Sequence, residues 1–296
     1  MVVSDFIHPY DAETLRDLNA ISAFPSLVRK VYEMGLEDIM WSNNITTNIR
    51  LSENQFPNIY RLLPPICDKL GIPIPELYLN TTPYLNSWTS GNKRVYIVIT
   101  LGLIRRLSED ELTAVIAHEC GHIICNHVIY STLAEWLFSL GETISDSEGV
   151  EKVIGTAVDF ALLKSIRLKL NKWHCASELS ADRVGCYITS ATTMVQALAK
   201  VERIPPIILK DLELREWAKQ GEDYEKLREG NTWKKTVRWL ANADLDHPYG
   251  PVRAYEAYLW EQSQQFGRLS SGRTCPNCGA AVSSDWKFCR RCGTLV

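Results

Sequence analysis

The sequence lacks any hydrophobic run long enough to cross a membrane. A spanning helix needs roughly 18 or more consecutive apolar residues. The longest stretches without Asp, Glu, Lys or Arg, 77–92 and 184–199, have sixteen residues each and contain many polar side chains. The N-terminus also lacks the basic residues followed by an apolar core that mark a secretory signal peptide. These absences predict a cytoplasmic protein without a transmembrane segment.

The sequence has no excess of positive charge either. Its formal net charge is −3, so there is no strongly basic surface that would predict a nucleic-acid partner. Apolar residues make up 46% of the chain and charged residues 23%, which excludes a disordered or collagen-like chain. The 296 residues therefore predict a soluble globular protein of one or two domains.

The nine cysteines are an odd number and are unevenly distributed. Four lie in the last 22 residues, and the other five are scattered through apolar, apparently helical sequence: Cys67, Cys120, Cys125, Cys175 and Cys186. Scattered single cysteines of this kind are usually buried thiols in a reducing compartment. We therefore expect no disulfide framework in the body of the chain.

The order of hydrophobic patterns predicts the α+β class. Residues 9–70 have helical spacing, and three short runs of β-branched and aromatic residues follow at 76–79, 84–89 and 95–100. A turn signal, Ser90-Gly91-Asn92, separates the last two runs. We expect a small antiparallel sheet that contains a hairpin.

The rest of the chain is mostly helical in pattern. Ser108 and Glu111 form a capping box, which predicts a helix from about 109 into the 130s. An exposed loop is expected at 141–152, and further helices at 153–200 and 206–263. A short polar, glycine- and serine-rich segment at 264–274 predicts a linker between a domain at 1–263, whose first 70 residues are helical, and a cysteine module at 275–296.

The predicted helix contains an HExxH motif, His118-Glu119-Cys120-Gly121-His122. A spacing of four places both imidazoles on one face of the helix, where they can bind one metal ion. Glu119 is rotated by about 100° around the helix axis, beside the metal, which suits a general base that acts on metal-bound water. Cys120 is interpreted as a packing residue.

Zinc catalysis requires a third protein ligand and an open position for water. Glu178 and Asp182 lie four residues apart on one face of a predicted helix, so one carboxylate could bind the metal while the other orients a ligand imidazole. His174, one turn before Glu178 on the same face, is a rival third ligand on geometry alone. Residue spacing favours Glu178 without excluding His174.

Three motifs in this order resemble the M48 family of zinc metallopeptidases, which are gluzincins and include the CAAX prenyl protease and HtpX. The motifs are HExxH, Glu178-Leu179-Ser180-Ala181-Asp182, and His247-Pro248 followed by Arg253. The resemblance implies that Glu178, rather than His174, is the third zinc ligand and that Asp182 supports the metal ligands. It further implies that His247 and Arg253 are candidate donors to the oxyanion. His247 could instead cap a helix before the proline, and Arg253 could instead form a salt bridge that supports the ligand helix.

The segment before the HExxH helix also resembles the M48 family. Asn86, Trp88 and Thr89 are similar to a strand on which an extended peptide substrate adds in β fashion. Unlike many members, this chain has charged residues between the two zinc motifs, at 123–177, and two apolar stretches there that are too short to span a membrane. An amphipathic hairpin lying on a membrane surface is a further hypothesis for this interval.

The C-terminal cysteines form two Cys-x2-Cys pairs, Cys275/Cys278 and Cys289/Cys292, each followed by glycine. This pattern resembles a zinc ribbon and predicts a closed structural site with four thiolate ligands. Lys287, Arg290, Arg291 and Arg273 surround the cysteines and could contact nucleic acid, but we favour docking of a protein or substrate. We therefore expect two zinc ions per chain, one catalytic and one structural.

Together these features predict a zinc metalloendopeptidase that acts on peptide or protein substrates. One alternative is a non-catalytic zinc scaffold or adaptor that works through the ribbon. Another is a processing protease that contacts a membrane surface peripherally. Intact Glu119, Glu178 and Asp182 favour the enzyme over the scaffold, because a decayed site would not need to retain them.

Overall fold

The computed structural model describes residues 3–33, 35–140, 160–202, 204–226, 249–270, 275–277, 287–289 and 292–296. The described chain consists mainly of helices with one small four-stranded sheet. This confirms the predicted α+β class. Within these residues, no helix combines the length and the apolar character needed to cross a membrane.

The N-terminal part is largely helical, as the apolar spacing predicts. Its elements are α1 (Pro9–Asn19), α2 (Phe24–Glu33), α3 (Leu36–Thr47), β1 (Ile49–Leu51), α4 (Pro57–Tyr60) and α5 (Leu63–Leu70). The expectation of an entirely helical 9–70 is wrong at β1. This strand pairs antiparallel with the next one, and its Leu51 enters the main core.

The sheet adds β2 (Glu76–Asn80), β3 (Ser87–Ser90) and β4 (Tyr96–Thr100), in the order β1-β2-β4-β3. The predicted hairpin between β3 and β4 is confirmed, because these strands pair antiparallel. The sheet is nevertheless mixed and not purely antiparallel, since β2 and β4 pair in parallel. The chain leaves β2, runs back along the edge as β3, and then fills the intervening position with β4.

The turn between β3 and β4 is held by the side chain of Glu37. Its Oε1 accepts hydrogen bonds from the backbone N–H groups of Asn92, Lys93 and Arg94, at 3.1, 2.6 and 2.7 Å. The adjacent Gly91 has φ = +109°, in a conformation that other residues rarely adopt. These contacts fix the hairpin and with it the position of β3.

After the sheet come α6 (Leu101–Arg106), α7 (Glu109–Ile124) and α8 (Val128–Leu140). Ser108 and Glu111 form the predicted capping box at the start of α7. The expectation that this helix continues into the 130s is wrong. It ends at Ile124 because Asn126 adopts φ = +60°, a left-handed conformation that asparagine tolerates, and the chain changes direction before α8.

The remaining elements are α9 (Phe160–Ile188), α10 (Ala191–Val201), α11 (Pro206–Leu209), α12 (Leu214–Lys226), α13 (Gly250–Glu261) and α14 (Gln264–Ser270). The linker expected at 264–274 begins as helix α14, in which Leu269 is buried and Phe266 packs on Trp260. These apolar contacts stabilise the helix although the segment is rich in polar residues. Residues 271–274 and the whole of the loop expected at 141–152 lie outside the described residues.

Helices α7 and α9 pack against each other at the positions of the two predicted metal motifs. A Cβ atom added to Gly121 would lie 2.8 Å from the Cα atom of Ala181. The absence of a side chain at Gly121 therefore allows the two backbones to approach closely. This contact places the polar faces of both motifs at the same cleft.

Candidate active site

The three predicted metal ligands lie together between α7 and α9. The Nε2 atoms of His118 and His122 are 3.2 Å apart, and the Glu178 carboxylate lies 3.5 Å from the first and 3.2 Å from the second. All three residues are buried. Ligands bound to a tetrahedral zinc ion at about 2.0–2.1 Å are separated by about 3.3–3.4 Å. The spacing of the three ligand atoms therefore fits zinc.

The hydrogen bonds of the imidazole rings agree with metal binding through Nε2. Nδ1 of His118 lies 2.9 Å from Oδ1 of Asp182, whose carboxylate can only accept a hydrogen bond. The proton of His118 is therefore on Nδ1, and the lone pair of Nε2 is directed to the ligand cluster. Two imidazole nitrogens and one carboxylate form the donor set of a gluzincin-type zinc site.

Arg253 lines the same cleft as the ligands and forms ion pairs with two carboxylates. Its guanidinium is 2.8 and 2.6 Å from the two oxygens of Asp182 and 3.2 Å from Glu178. Burial opposes the charge on Asp182, but the charge and hydrogen bonds of Arg253 hold its pKa below the ordinary value. Burial also opposes the charge on Arg253, yet these carboxylates raise its pKa. The geometry matches the supporting salt bridge, one of the two roles considered for Arg253.

The second ligand imidazole contacts another histidine. Nδ1 of His122 lies 3.1 Å from Nδ1 of His127, and Nε2 of His127 lies 3.0 Å from Oδ2 of Asp11 in α1. An uninterrupted helix would place His127 about half a turn away from the metal. The structure differs from this because α7 ends at Ile124 and the turn brings His127 back towards His122. Burial lowers the pKa of His127, although Asp11 opposes this effect.

Glu119 lies beside the ligands and is held by the edge strand. Its two carboxylate oxygens accept hydrogen bonds from the hydroxyl groups of Ser87 and Thr89, at 2.6 and 2.7 Å. These two residues are on the same face of β3 because side chains alternate along a strand. Glu119 is almost fully buried. The edge strand therefore determines the position of the expected general base.

A cleft of about 860 Å³ opens onto Glu119 and the three ligands. Asn86 and Trp88 line this cleft, and β3 lies at the edge of the sheet in the described chain. His174 also lines the cleft, but the described groups close enough to share a metal are His118, His122 and Glu178. Apolar side chains from three helices also line the cleft and are termed the apolar wall: Leu103, Val115, Met194, Leu198 and Val201. His247 lies outside the described residues.

A second candidate metal cluster, which consists of cysteines, lies in the C-terminal part of the chain. The Sγ atoms of Cys275, Cys289 and Cys292 lie within 4.8 Å of one another. Gly293 adopts φ = +74°, as expected of a glycine that follows a Cys-x2-Cys turn, and its N–H donates to the carbonyl of Cys289 at 2.8 Å. Three thiolates at this spacing fit one tetrahedral zinc. The fourth predicted ligand, Cys278, lies outside the described residues, as do Arg290 and Arg291.

Ser87, His127 and Asp11 belong to the site but were not predicted from the sequence. The alternation of β3 could have identified Ser87, because it lies two residues before Thr89. No local pattern connects Asp11 with His127, which is 116 residues away. Their contact depends on the packing of α1 against the other helices.

Comparison with known proteins shows two family matches. The model described as "Peptidase family M48" matches residues 53–256, which is more than half of the chain. The model described as "zinc-ribbon domain" matches residues 274–296. The two matches coincide with the two metal clusters.

Several curated proteins are similar to this chain. The plastoglobule-localized metallopeptidase 48 of Arabidopsis thaliana is 28% identical over 90% of this chain and 74% of its own length. The protease HtpX homolog of Thermococcus sibiricus is 36% identical over 51% of this chain and 59% of its own length. The chain thus spans about three fifths of that HtpX relative. The crystal structure of S. mikatae Ste24p aligns with 82% of this chain and 64% of that one, at 16% identity and a TM-score of 0.37.

Proposed function

Because the chain belongs to peptidase family M48 and carries a C-terminal zinc-ribbon domain, we propose that it is a zinc-dependent metalloendopeptidase. The observation that carries the proposal is the convergence of His118, His122 and Glu178 at one point beside Glu119. These three residues would hold a zinc ion, which would act as a Lewis acid and would lower the pKa of a coordinated water towards about 7. The proposed count is one such zinc and one structural zinc in the ribbon.

In this proposal Glu119 is the general base. Its carboxylate takes a proton from the attacking water and passes it to the departing amine of the peptide. Ser87 and Thr89 support this role because their hydroxyls hold the carboxylate at the cleft. We propose that Asp182 and Arg253 act indirectly, through the orientation of His118 and Glu178. His247 remains the proposed donor to the oxyanion, by resemblance to the family motif.

We propose that the substrate is an extended peptide added along β3. An edge strand offers backbone groups to a guest strand, and the edge of this sheet lies at the cleft. Asn86, Trp88 and Thr89 would contact the guest through the backbone of this segment. The apolar wall supports a preference for substrates with a large apolar side chain near the cleaved bond.

The proposed location is the cytoplasm, with the ribbon as a docking module for a protein partner. Cys67, Cys120, Cys125 and Cys186 are buried free thiols, which supports a reducing compartment. Contact with a membrane surface is a second candidate, supported by the apolar sequence of α8. A test of whether the intact chain binds liposomes would distinguish contact with a membrane surface from the proposed cytoplasmic location.

The test is digestion of a peptide library by the wild type and by Glu119→Gln, with zinc content measured on both. The substitution removes the base but leaves the three ligands, so we expect unchanged zinc and at least about a 100-fold loss of cleavage. Asp110→Asn, on the exposed first turn of the same helix, is the control and should keep full activity. Full cleavage by Glu119→Gln would contradict the mechanism, and zinc binding without any wild-type cleavage would favour the scaffold.

A further inference from the structure

We propose that Asp11 and His127 are positioning residues that select the tautomer of His122 in which Nε2 can bind the metal. The three side chains form a continuous row, with distances of 3.0 Å from Asp11 to His127 and 3.1 Å from His127 to His122. The inference rests on the proposed function, because it assumes that His122 is a metal ligand. It assigns a role to α1, which precedes the residues matched by the family model.

The direction of the hydrogen bonds in this row follows from its first member. Burial opposes the charge on Asp11, but hydrogen bonds from His127, Ser180 and Trp173 lower its pKa, so its carboxylate accepts and does not donate. His127 must therefore carry a proton on Nε2, and because a neutral imidazole has only one ring proton, Nδ1 of the neutral ring is an acceptor. His122 then donates from Nδ1, and its Nε2 lone pair points at Glu178 and His118.

Asp11 is itself held in one orientation. Its Oδ1 accepts from the indole N–H of Trp173 at 3.0 Å, and its Oδ2 accepts from the hydroxyl of Ser180 at 2.6 Å as well as from His127. Asp11 and His127 are each about 1% exposed, so water does not compete for these bonds. A buried carboxylate with three donors cannot turn without breaking at least one bond.

The row gives His122 the same kind of support from a carboxylate that the other imidazole, His118, already has. His118 is oriented directly by Asp182, whereas in the part of the chain that the structure describes Nδ1 of His122 contacts His127 and not a carboxylate. Asp11 supplies the negative charge one residue further away, through His127. Groups that orient a metal-bound histidine in this way typically change metal affinity by about 10- to 100-fold. We therefore expect the affinity of the metal site to depend on α1.

The substitution Asp11→Asn tests this tautomer selection. If the amide oxygen of the new asparagine stays towards Trp173, its amide nitrogen faces Nε2 of His127. Nε2 of His127 must then accept, so the proton of His127 moves to Nδ1, where it conflicts with the Nδ1 proton of His122. His122 would then have to keep its proton on Nε2, which is the metal-binding atom. If the amide instead turns its oxygen to His127, its nitrogen faces the N–H of Trp173. Trp173→Phe removes that second conflict, so the double variant should recover metal binding.

The measurement is a titration of the metal-free full chain with Co²⁺, followed by absorption. Cobalt bound by thiolates gives an intense near-ultraviolet charge-transfer band, so the ribbon is distinguished from the imidazole site, which gives only the weaker visible bands. We expect Asp11→Asn to weaken the imidazole site by about 10- to 100-fold. Trp173→Phe alone keeps the donors of Asp11 from His127 and Ser180, so it should bind more tightly than Asp11→Asn, and the double variant should also bind more tightly than Asp11→Asn.

Leu18→Ala is the control for a loss of structure. Leu18 is fully buried in the same helix and its side chain packs in an apolar cluster, so its truncation should lower the melting temperature but leave the cobalt affinity of the folded protein unchanged. A second pair, His127→Asn and His127→Leu, covers the case in which Asp11→Asn does not fold. Asn keeps an acceptor near the position of Nδ1 of His127, whereas Leu, which is of similar size, has none. His127→Asn should therefore bind cobalt more tightly than His127→Leu.

The inference is overturned if Asp11→Asn binds cobalt as tightly as the wild type, or if Leu18→Ala weakens the site as much as Asp11→Asn does. It is also overturned if the double variant is no better than Asp11→Asn, or if the two His127 variants bind equally. A wild type that binds no cobalt outside the ribbon would instead contradict the proposed function. The two failures are therefore distinguishable.

Discussion

Gly121 lies against Ala181 so closely that a Cβ atom on the glycine would be 2.8 Å from the alanine Cα and 3.0 Å from its carbonyl oxygen. These residues belong to the two motifs that supply the metal ligands. The clash would involve backbone atoms, which cannot turn aside as a flexible side chain can. The separation of the ligands across α7 and α9 therefore depends on the lack of a side chain at one position.

Gly121→Ala is expected to push α7 and α9 apart. Overpacking of this kind usually costs about 1–3 kcal/mol, and here it would also move His122 relative to Glu178. We expect a lower melting temperature and loss of zinc from the catalytic site, measured by calorimetry and elemental analysis. Gly267→Ala in α14 is the control, because a Cβ there meets nothing within 4 Å. Equal zinc content in Gly121→Ala and the wild type would contradict this view of the contact.

Thr89→Val is expected to slow catalysis without loss of zinc. The substitution keeps the shape of a strand residue but removes the hydroxyl that donates to Glu119. A hydrogen bond to a charged group contributes about 1.5–3 kcal/mol, which corresponds to roughly a 10- to 100-fold fall in kcat. Thr113→Val, on α7, removes a hydroxyl that donates to the helix backbone and should leave kcat unchanged. A kcat for Thr89→Val equal to that of the wild type would argue against β3 as the support of the base.

Arg253→Met is expected to destabilise the protein and to weaken zinc binding together. It leaves Asp182 and Glu178 buried without their cation, and breaking such a pair from one side typically costs about 3–5 kcal/mol. Urea denaturation and zinc content would measure the two effects. Arg61→Met removes an exposed ion pair with Glu109 and should change stability by less than about 1 kcal/mol. Similar effects of the two substitutions would show that burial of the Arg253 pair contributes little.

Cys289→Ser is expected to reduce the zinc content from two ions per chain to one. Cys289 is buried in the cysteine cluster, and loss of one thiolate weakens a closed structural site. Elemental analysis would measure the number of zinc ions, and adding His118→Ala to Cys289→Ser should remove the remaining zinc. Cys175→Ser changes a cysteine that belongs to neither metal cluster and should retain two ions. A content of two in Cys289→Ser would contradict the ribbon assignment.

The sequence predicted best those features that depend on local spacing. The helix start at Ser108, the pairing of β3 with β4, and the shared helical faces of His118 with His122 and of Glu178 with Asp182 each follow from a few neighbouring residues. The choice of Glu178 over His174 needed the family resemblance, because both lie on the same face of one helix. Spacing alone could not decide which side chain reaches the metal.

Features that depend on tertiary packing could not be read from the sequence. The end of α7 at Ile124 depends on one asparagine in a left-handed conformation, and the contact of His127 with His122 follows from it. The position of Asp11 depends on the docking of α1 against α9, which brings Trp173 and Ser180 to the same carboxylate. The parallel pairing of β2 with β4 likewise depends on the order of strands and not on the pattern of any one strand.

Among the described strands β3 pairs on one side only, with β4, and this edge position has a consequence for the kind of client that the proposed cleft would admit. An unpaired strand edge recognises main-chain N–H and C=O groups, which every polypeptide has, and it demands only that the guest be extended over several residues. Native proteins seldom leave such a stretch uncovered, whereas damaged or unassembled chains do. Selection at this edge would therefore depend on whether a client has lost its own fold more than on its sequence.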